Sequence, residues 1–147
     1  MRAFVQRVLK ADVSVNNQVA GRIDQGLVVL LGIRDDDTEV RAEHLARKVL
    51  QLRIFDDEGG KMNRSVTDVK GGLLIVSQFT LYGDTSRGNR PSYSRAAKPE
   101  LAEPLYKSFI EHCKEAGLDV STGVFGATML VSLVNDGPVS LLCETEI

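Results

Sequence analysis

Within four residues, Ser77-Gln78-Phe79-Thr80 sets two hydroxyls and a carboxamide around one flat apolar ring. Such a set suits an ester held in a pocket, because hydroxyl and amide groups orient a carbonyl while an aromatic face covers the apolar part of the ligand. A serine or threonine hydroxyl attacks a carbonyl only when a base takes its proton. No histidine, lysine or aspartate stands at a motif spacing that supplies one, and there is no G-x-S-x-G elbow. The residues alone leave this segment three roles: nucleophile, hydrogen-bonding group or plain strand end.

A second set runs from Phe125-Gly126-Ala127-Thr128-Met129 to Asn135-Asp136-Gly137-Pro138. Asn-Asp-Gly-Pro on its own reads as a hairpin turn between two late strands, since glycine takes unusual dihedrals and X-Pro is the bond with an appreciable cis population. The third set is basic: Arg87, Arg90, Arg95 and Lys98, with Tyr93 among them, lie in a stretch of glycine, serine and proline. That composition fits RNA phosphates and also fits a solvated loop. His44 and His112 fall on helix faces among charges, and Cys113 and Cys143 sit far apart in no metal-ligand spacing, so all four read as structural or solvated. Asp56-Asp57-Glu58-Gly59-Gly60 lacks the alternating ligands and closing glutamate of a calcium loop and reads as a solvated turn.

The elements that must position these groups follow from periodicity. Arg2 to Val8 and Asp12 to Val15 alternate as strand, and Asn16-Asn17 tolerates the positive φ of a tight hairpin before Gln18-Val19-Ala20. Gly26 to Ile33 and Leu73 to Val76 are continuous apolar runs, as expected of strands buried on both faces. The second delivers Ser77 at its end. Asp36, Asp37 and Thr38 compete to cap a helix that buries Ala42, Leu45, Ala46, Val49 and Leu52 and ends near Arg53. Pro99 opens a second helix with Leu101, Leu105, Phe109, Cys113 and Ala116 on one face and Gly117 as its stop. Val120 to Thr122, Met129 to Val134 and Val139 to Glu144 complete the strands. The expected fold class is α/β, layered mixed β-sheets with two main helices in the order β-β-(β-α)-(β-α)-β-β-β.

At 147 residues and 43% hydrophobic content, residues 1–147 are expected to form one domain around one core. A net charge of −2 excludes indiscriminate coating of nucleic acid, so an RNA partner must be met by a local basic patch. No stretch is long and apolar enough to cross a bilayer, and the alternating N-terminus lacks the run of a secretory signal, so a cytoplasmic protein without membrane partners is expected.

Taken together, the segments resemble a family. Arg2-Ala3 with Val5-Gln6-Arg7-Val8, Leu52-Arg53-Ile54-Phe55, Gly60-Lys61-Met62-Asn63, Ser77 to Gly83, Arg90-Pro91-Ser92 and Phe125 through Pro138 are similar, almost end to end, to D-aminoacyl-tRNA deacylase of the D-tyrosyl-tRNA deacylase family. The most specific pieces are Ser77-Gln78-Phe79-Thr80 and Asn135-Asp136-Gly137-Pro138. Ser140 and Thr128 stand where threonine and aspartate are more often expected.

The resemblance implies hydrolysis of the ester of D-aminoacyl-tRNA by a homodimer that uses no cofactor and no metal, and leaves open whether glycyl-tRNA is also hydrolysed. It implies catalytic positions at Thr80 and Gln78, backbone N–H groups around Phe79 and Thr80 facing an oxyanion, and substrate contacts from Ser77, Phe79, Phe125 and Met129. Gly137 and Pro138, joined by a cis peptide and steadied by Arg7, would project carbonyls into the neighbouring subunit's pocket and exclude the L form. The terminal 2′-hydroxyl of the tRNA would assist the reaction. Arg87, Arg90, Arg95 and Lys98 are the expected phosphate contacts. Two other readings remain: a noncatalytic nucleic-acid module built on the basic loop, and an editing domain for L-aminoacyl-tRNA.

Overall fold

The computed structural model describes residues 1–145. β1 (Arg2–Val15) turns through Asn16 and Asn17, at φ 50° and 64°, into antiparallel β2 (Gln18–Ile23). Two consecutive positive φ values are what a two-residue hairpin needs to match strand twist, and asparagine reaches them at little cost. β3 (Gly26–Gly32) runs antiparallel to β1 and is almost wholly buried, as its unbroken apolar run requires.

α1 (Glu39–Gln51) is capped by Thr38, whose Oγ1 accepts the Arg41 N–H at 3.4 Å. Asp37 does other work. It is buried, and its carboxylate takes the Met1 ammonium at 2.7 Å, the Arg34 N–H at 2.6 Å and the Arg41 guanidinium at 3.3 Å. β4 (Phe55–Asp56) and β5 (Met62–Arg64) form a small hairpin that periodicity does not show. The acidic turn closes it: Asp57 Oδ1 accepts the N–H of Gly59 at 2.9 Å and of Lys61 at 3.0 Å.

β6 (Gly72–Ser77) lies parallel to β3, and α2 (Pro99–Lys114) carries the chain to β7 (Val120–Thr122), parallel to β6. α2 buries Ala102, Leu105, Tyr106, Phe109, Ile110 and Cys113. Leu101, expected on that face, is exposed, because the seat of the helix centres on the 102/105/106/109 stripe. Helix α1 adds Ala42, Leu45, Ala46 and Val49 to the same core, while Leu52 lies just past the helix end, packed against it.

The strand order is β2-β1-β3-β6-β7, with β8 (Leu130–Glu144) pairing the other side of β1. The sheet curls until Ser121 Oγ on β7 donates to the Arg22 carbonyl of β2 at 3.0 Å. A second, smaller core of Val8, Ala11, Val13, Ile23, Val28, Leu74 and Val76 is enclosed by this curl, on the face away from the helices. The result is the expected α/β class of mixed sheet and two helices.

β8 departs from expectation. The two strands foreseen at Met129–Val134 and Val139–Glu144 are one, and Asn135-Asp136-Gly137-Pro138 is no hairpin turn. Both halves of β8 pair with β1: Asn135 sits opposite Val8, and Ser140 opposite Gln6. Between these pairs β1 has only Arg7, whereas β8 has residues 136–139, so the chain bulges out there. A lesser shift sets Leu9 between the pairs Val8–Asn135 and Lys10–Val134.

Candidate active site

A cavity of about 580 Å³ opens where β3 and β6 end. That is the place where parallel strands release their chain into loops and where α/β sheets generally hold ligands. Leu31, Ile33 and Val76 form its apolar floor; Ser77, Gln78 and Phe79 form one wall; Phe125, Gly126, Ala127, Met129 and Val131 form the opposite one. Ala96, Ala97, Lys98 and Pro99 close the side at the head of α2.

Each wall has a local cause. After Ser77 the backbone leaves the sheet and coils into a 3₁₀ turn, Phe79–Tyr82, so Phe79 and Thr80 lie beyond the strand that delivers Ser77. Within this turn the Gln78 side-chain amide donates to Thr80 Oγ1. Thr80 is exposed and is not one of the residues lining the cavity; Gln78 lines it. Among the described residues no backbone acceptor meets the N–H of Phe79 or Thr80. Arg2 holds the turn from behind: its Nη1 donates to the Leu81 carbonyl at 2.7 Å and its guanidinium stacks 4.6 Å from the Tyr82 ring centre. Burial pushes the Tyr82 phenol up to about 12, so it stays a neutral platform.

The opposite wall is anchored by Tyr106 of α2. Its ring packs on Phe125 at 5.5 Å, its hydroxyl donates to the Ile75 carbonyl at 3.2 Å, and burial raises its pKa to about 12. At the rim Phe79 and Tyr93 meet edge to face, centroids 5.2 Å apart, both exposed. Ala96 and Ala97 carry no sequence signal for a site; they arrive there because the Ala97 N–H donates to the Ile33 carbonyl at 2.9 Å and Ala96 pairs with Arg34. Lys98 is the single charged residue of the lining.

The other basic residues of the loop lie outside the cavity. Arg95 pairs with Asp35 at 3.4 Å, while Arg87 and Arg90 are exposed and have no ion-pair partner among the described residues. Among the described residues no group of three or more His, Cys, Asp or Glu is arranged so that it could hold a metal ion. His112 contacts Glu39 and Glu115 on the helical side, and the Cys113 thiol is pushed up to about 12 by burial.

Gly137 and Pro138 do not line this cavity. They stand exposed on the bulge of β8, which begins after Asn135, about 13 Å of strand beyond Val131 at the usual rise per residue. Their peptide is cis, and Gly137 has φ +127°. Arg7, buried by the bulge, holds it in place: Nε donates to the Asp136 carbonyl at 3.1 Å and Nη1 to the Ile54 carbonyl at 2.7 Å. Asn135 ties the base, accepting the Val139 N–H at 3.1 Å and donating to Ser140 Oγ at 2.9 Å. Ser140 thus supplies the hydroxyl that threonine would.

Residues 4–144 match the family model described as D-Tyr-tRNA(Tyr) deacylase. This chain belongs to that family. Curated relatives include the D-aminoacyl-tRNA deacylases of Thermosipho africanus, 56% identical over 99% of this chain and 98% of that one, and of Halalkalibacterium halodurans, 55% identical over 99% and 100%. Among solved structures, one described as c-Myc DNA Unwinding Element Binding Protein superposes with a TM-score of 0.94 at 42% identity over the full length of both chains. A probable eukaryotic D-amino acid tRNA deacylase superposes at 0.83 with 19% identity over 97% of each, a likeness of fold. The family is one of enzymes, and its members named here as deacylases are hydrolases. No described helix is long and apolar enough to cross a membrane.

Proposed function

We propose that the chain hydrolyses the ester linking a D-amino acid to tRNA, releasing the free amino acid and tRNA, and that it serves as a chiral proofreader. The observation that carries this reading is the cavity itself: amide and hydroxyl groups of Ser77 and Gln78 on one wall, mostly apolar residues elsewhere with Lys98 as the one charge, and no imidazole or carboxylate among the residues that line it. Such a site positions an ester without a side-chain base. Water adds to the ester carbonyl, the bond to the terminal ribose oxygen breaks, and that oxygen takes up the proton. The neighbouring 2′-hydroxyl of the ribose relays it. The unpaired N–H groups of Phe79 and Thr80 face the developing oxyanion, and Gln78 is oriented by its bond to Thr80.

In this reading the working unit is a homodimer. β8 is an edge strand with Leu130, Val134, Leu141 and Leu142 exposed, a long apolar edge of the sort that soluble proteins cover. The bulge bearing Gly137 and Pro138 enters the partner's cavity, and its carbonyls occupy the space into which an L side chain would point. Glycine, with no side chain, passes this filter, so glycyl-tRNA is also a substrate. Ser77, Phe79, Phe125 and Met129 contact the terminal aminoacyl-adenosine, while Lys98, Arg87, Arg90 and Arg95 approach phosphates. The reaction is cytoplasmic and draws on no cofactor or metal.

The deciding experiment incubates the protein with matched D- and L-tyrosyl-tRNA and follows ester loss. Rapid loss of the D ester alone is expected. Equal loss of both removes the chiral filter, and binding without hydrolysis leaves a nucleic-acid module. A thousandfold preference corresponds to about 4 kcal/mol, within reach of one steric clash and a misplaced ammonium.

A further inference from the structure

A second concave surface, of about 380 Å³, runs along the outer side of α1 and its exit and is lined by His44, Arg47, Lys48, Gln51, Leu52 and Arg53. Positions 44, 47, 48 and 51 recur at helical spacing, so they form one stripe opposite the buried Ala42, Leu45, Ala46 and Val49. Cations dominate this stripe in a chain whose net charge is −2. Arg47 has one acidic neighbour, Glu43, at 2.7 Å in an exposed pair. Arg53 is held by the carbonyl and side-chain oxygen of Asn63, both neutral; it makes no ion pair within 4 Å among the described residues and feels the Asp68 carboxylate only at longer range. Lys48 and His44 make no ion pair among the described residues.

The position of this groove matters as much as its charge. Arg53 precedes Ile54, whose carbonyl accepts Arg7 Nη1, while Arg7 Nε holds the Asp136 carbonyl of the bulge. One guanidinium therefore clamps the groove's end and the Gly137–Pro138 bulge together. A lysine near a helix C-terminus also offsets the helix dipole, which accounts for Lys48 but not for His44, a turn earlier, or for Arg53, beyond the helix.

We infer that the groove lined by Arg47, Lys48 and Arg53 grips the phosphodiester backbone of the tRNA whose aminoacyl end occupies the pocket that the adjoining bulge enters. The inference rests on the deacylase reading. Phosphate contacts of this kind position the RNA and carry little sequence information.

The test is the double reversal Arg47→Glu/Lys48→Glu, at two exposed positions outside the cavity, with D-tyrosyl-tRNA and D-tyrosyl-adenosine as substrates. KM for the tRNA should rise at least about tenfold at low salt, and the slope of log KM against log salt should fall by about two, one for each contact removed. Turnover of the tRNA at saturation and all kinetics of the adenosine ester should stay as in the wild type. Arg47→Lys/Lys48→Arg, which keeps both charges, should behave as wild type. An unchanged KM and salt slope overturns the inference, as does an equal loss on the adenosine ester, which would mean a disturbed pocket. A wild-type protein inert to both substrates defeats the deacylase reading and the groove's assignment with it.

Discussion

Replacing Gly137 by alanine tests whether the bulge is a built feature. An L residue held at φ +127° lies outside its allowed regions, at a cost of about 1–3 kcal/mol. The added Cβ would sit 2.8 Å from Val139 Cγ2 and 3.1 Å from both the Val139 nitrogen and Arg7 Nη2. Val139 packs against the main core, so its methyl has little room, and a displaced Arg7 loosens its hold on the Asp136 and Ile54 carbonyls. Losing one such charge-assisted bond adds about 1.5–3 kcal/mol, less whatever the exposed side of the bulge relaxes. The expected total is about 2–4 kcal/mol, a fall in Tm of roughly 4–16 °C for a chain of this size. Gly117→Ala is the control: its φ of +75° is also positive, but nothing lies within 4 Å of the added carbon, so about 1 kcal/mol is expected. Thermal and urea melts of both variants, with deacylation assayed well below either Tm, give the comparison. Stability of Gly137→Ala equal to the control would refute the packing argument, and full activity in a destabilised variant would remove the bulge from the site.

Thr80→Ala should keep most of its turnover, because Thr80 stands outside the cavity lining and acts on Gln78; a collapse of kcat with folding and binding intact would make the hydroxyl a nucleophile after all. Arg87→Ala/Arg90→Ala should raise KM for tRNA and flatten its salt dependence, as phosphate contacts do, and an unaltered salt response excludes the loop from binding. Asp68 accepts the Ser65 N–H at 2.9 Å, and this bond, with the Ser65 hydroxyl, holds its carboxyl below the usual range. Asp57 is lowered likewise by the Lys61 and Gly59 amides. A depressed folded pKa adds stability that is present above the unfolded value of about 3.9 and is lost as pH falls through the folded one. Acid unfolding should therefore set in below that value, and Asp68→Asn should flatten the acid limb of a stability–pH curve.

The helices were legible because a 3.6-residue period persists over three or more turns, and β3 and β6 because continuous apolar runs between glycines leave few alternatives. Asn16-Asn17 carried its turn in its own chemistry. What stayed hidden depends on distant partners. Asn-Asp-Gly-Pro is a turn by local statistics, and only its pairing on both sides with β1 makes it a bulge within one strand. Leu101 and Leu105 share a stripe in sequence, but the contact surface decides which edge of that stripe is covered. Ala96 and Ala97 became pocket wall through bonds to Ile33 and Arg34, some 60 residues earlier in the chain. The exit of Ser77 into a 3₁₀ turn, which moves Thr80 out of the lining, has no periodic signature in four residues.

Counting residues around the bulge shows what the fold itself requires. From Val8 to Gln6 β1 advances two residues, while β8 advances five, from Asn135 to Ser140. Three residues are therefore surplus to the ladder, and Asp136, Gly137 and Pro138 fit that description, since Val139 would then fall opposite Arg7 and keep its contact with the core. Excising the three would join Asn135 to Val139 without inverting the face of any residue on either flank, because what remains alternates as a regular strand should. By register the tripeptide is thus an insert, and what its loss takes from the scaffold is the hold of Arg7 on Asp136. A shortened chain that still folds but no longer distinguishes D from L esters would separate the architecture from its selectivity at a single splice.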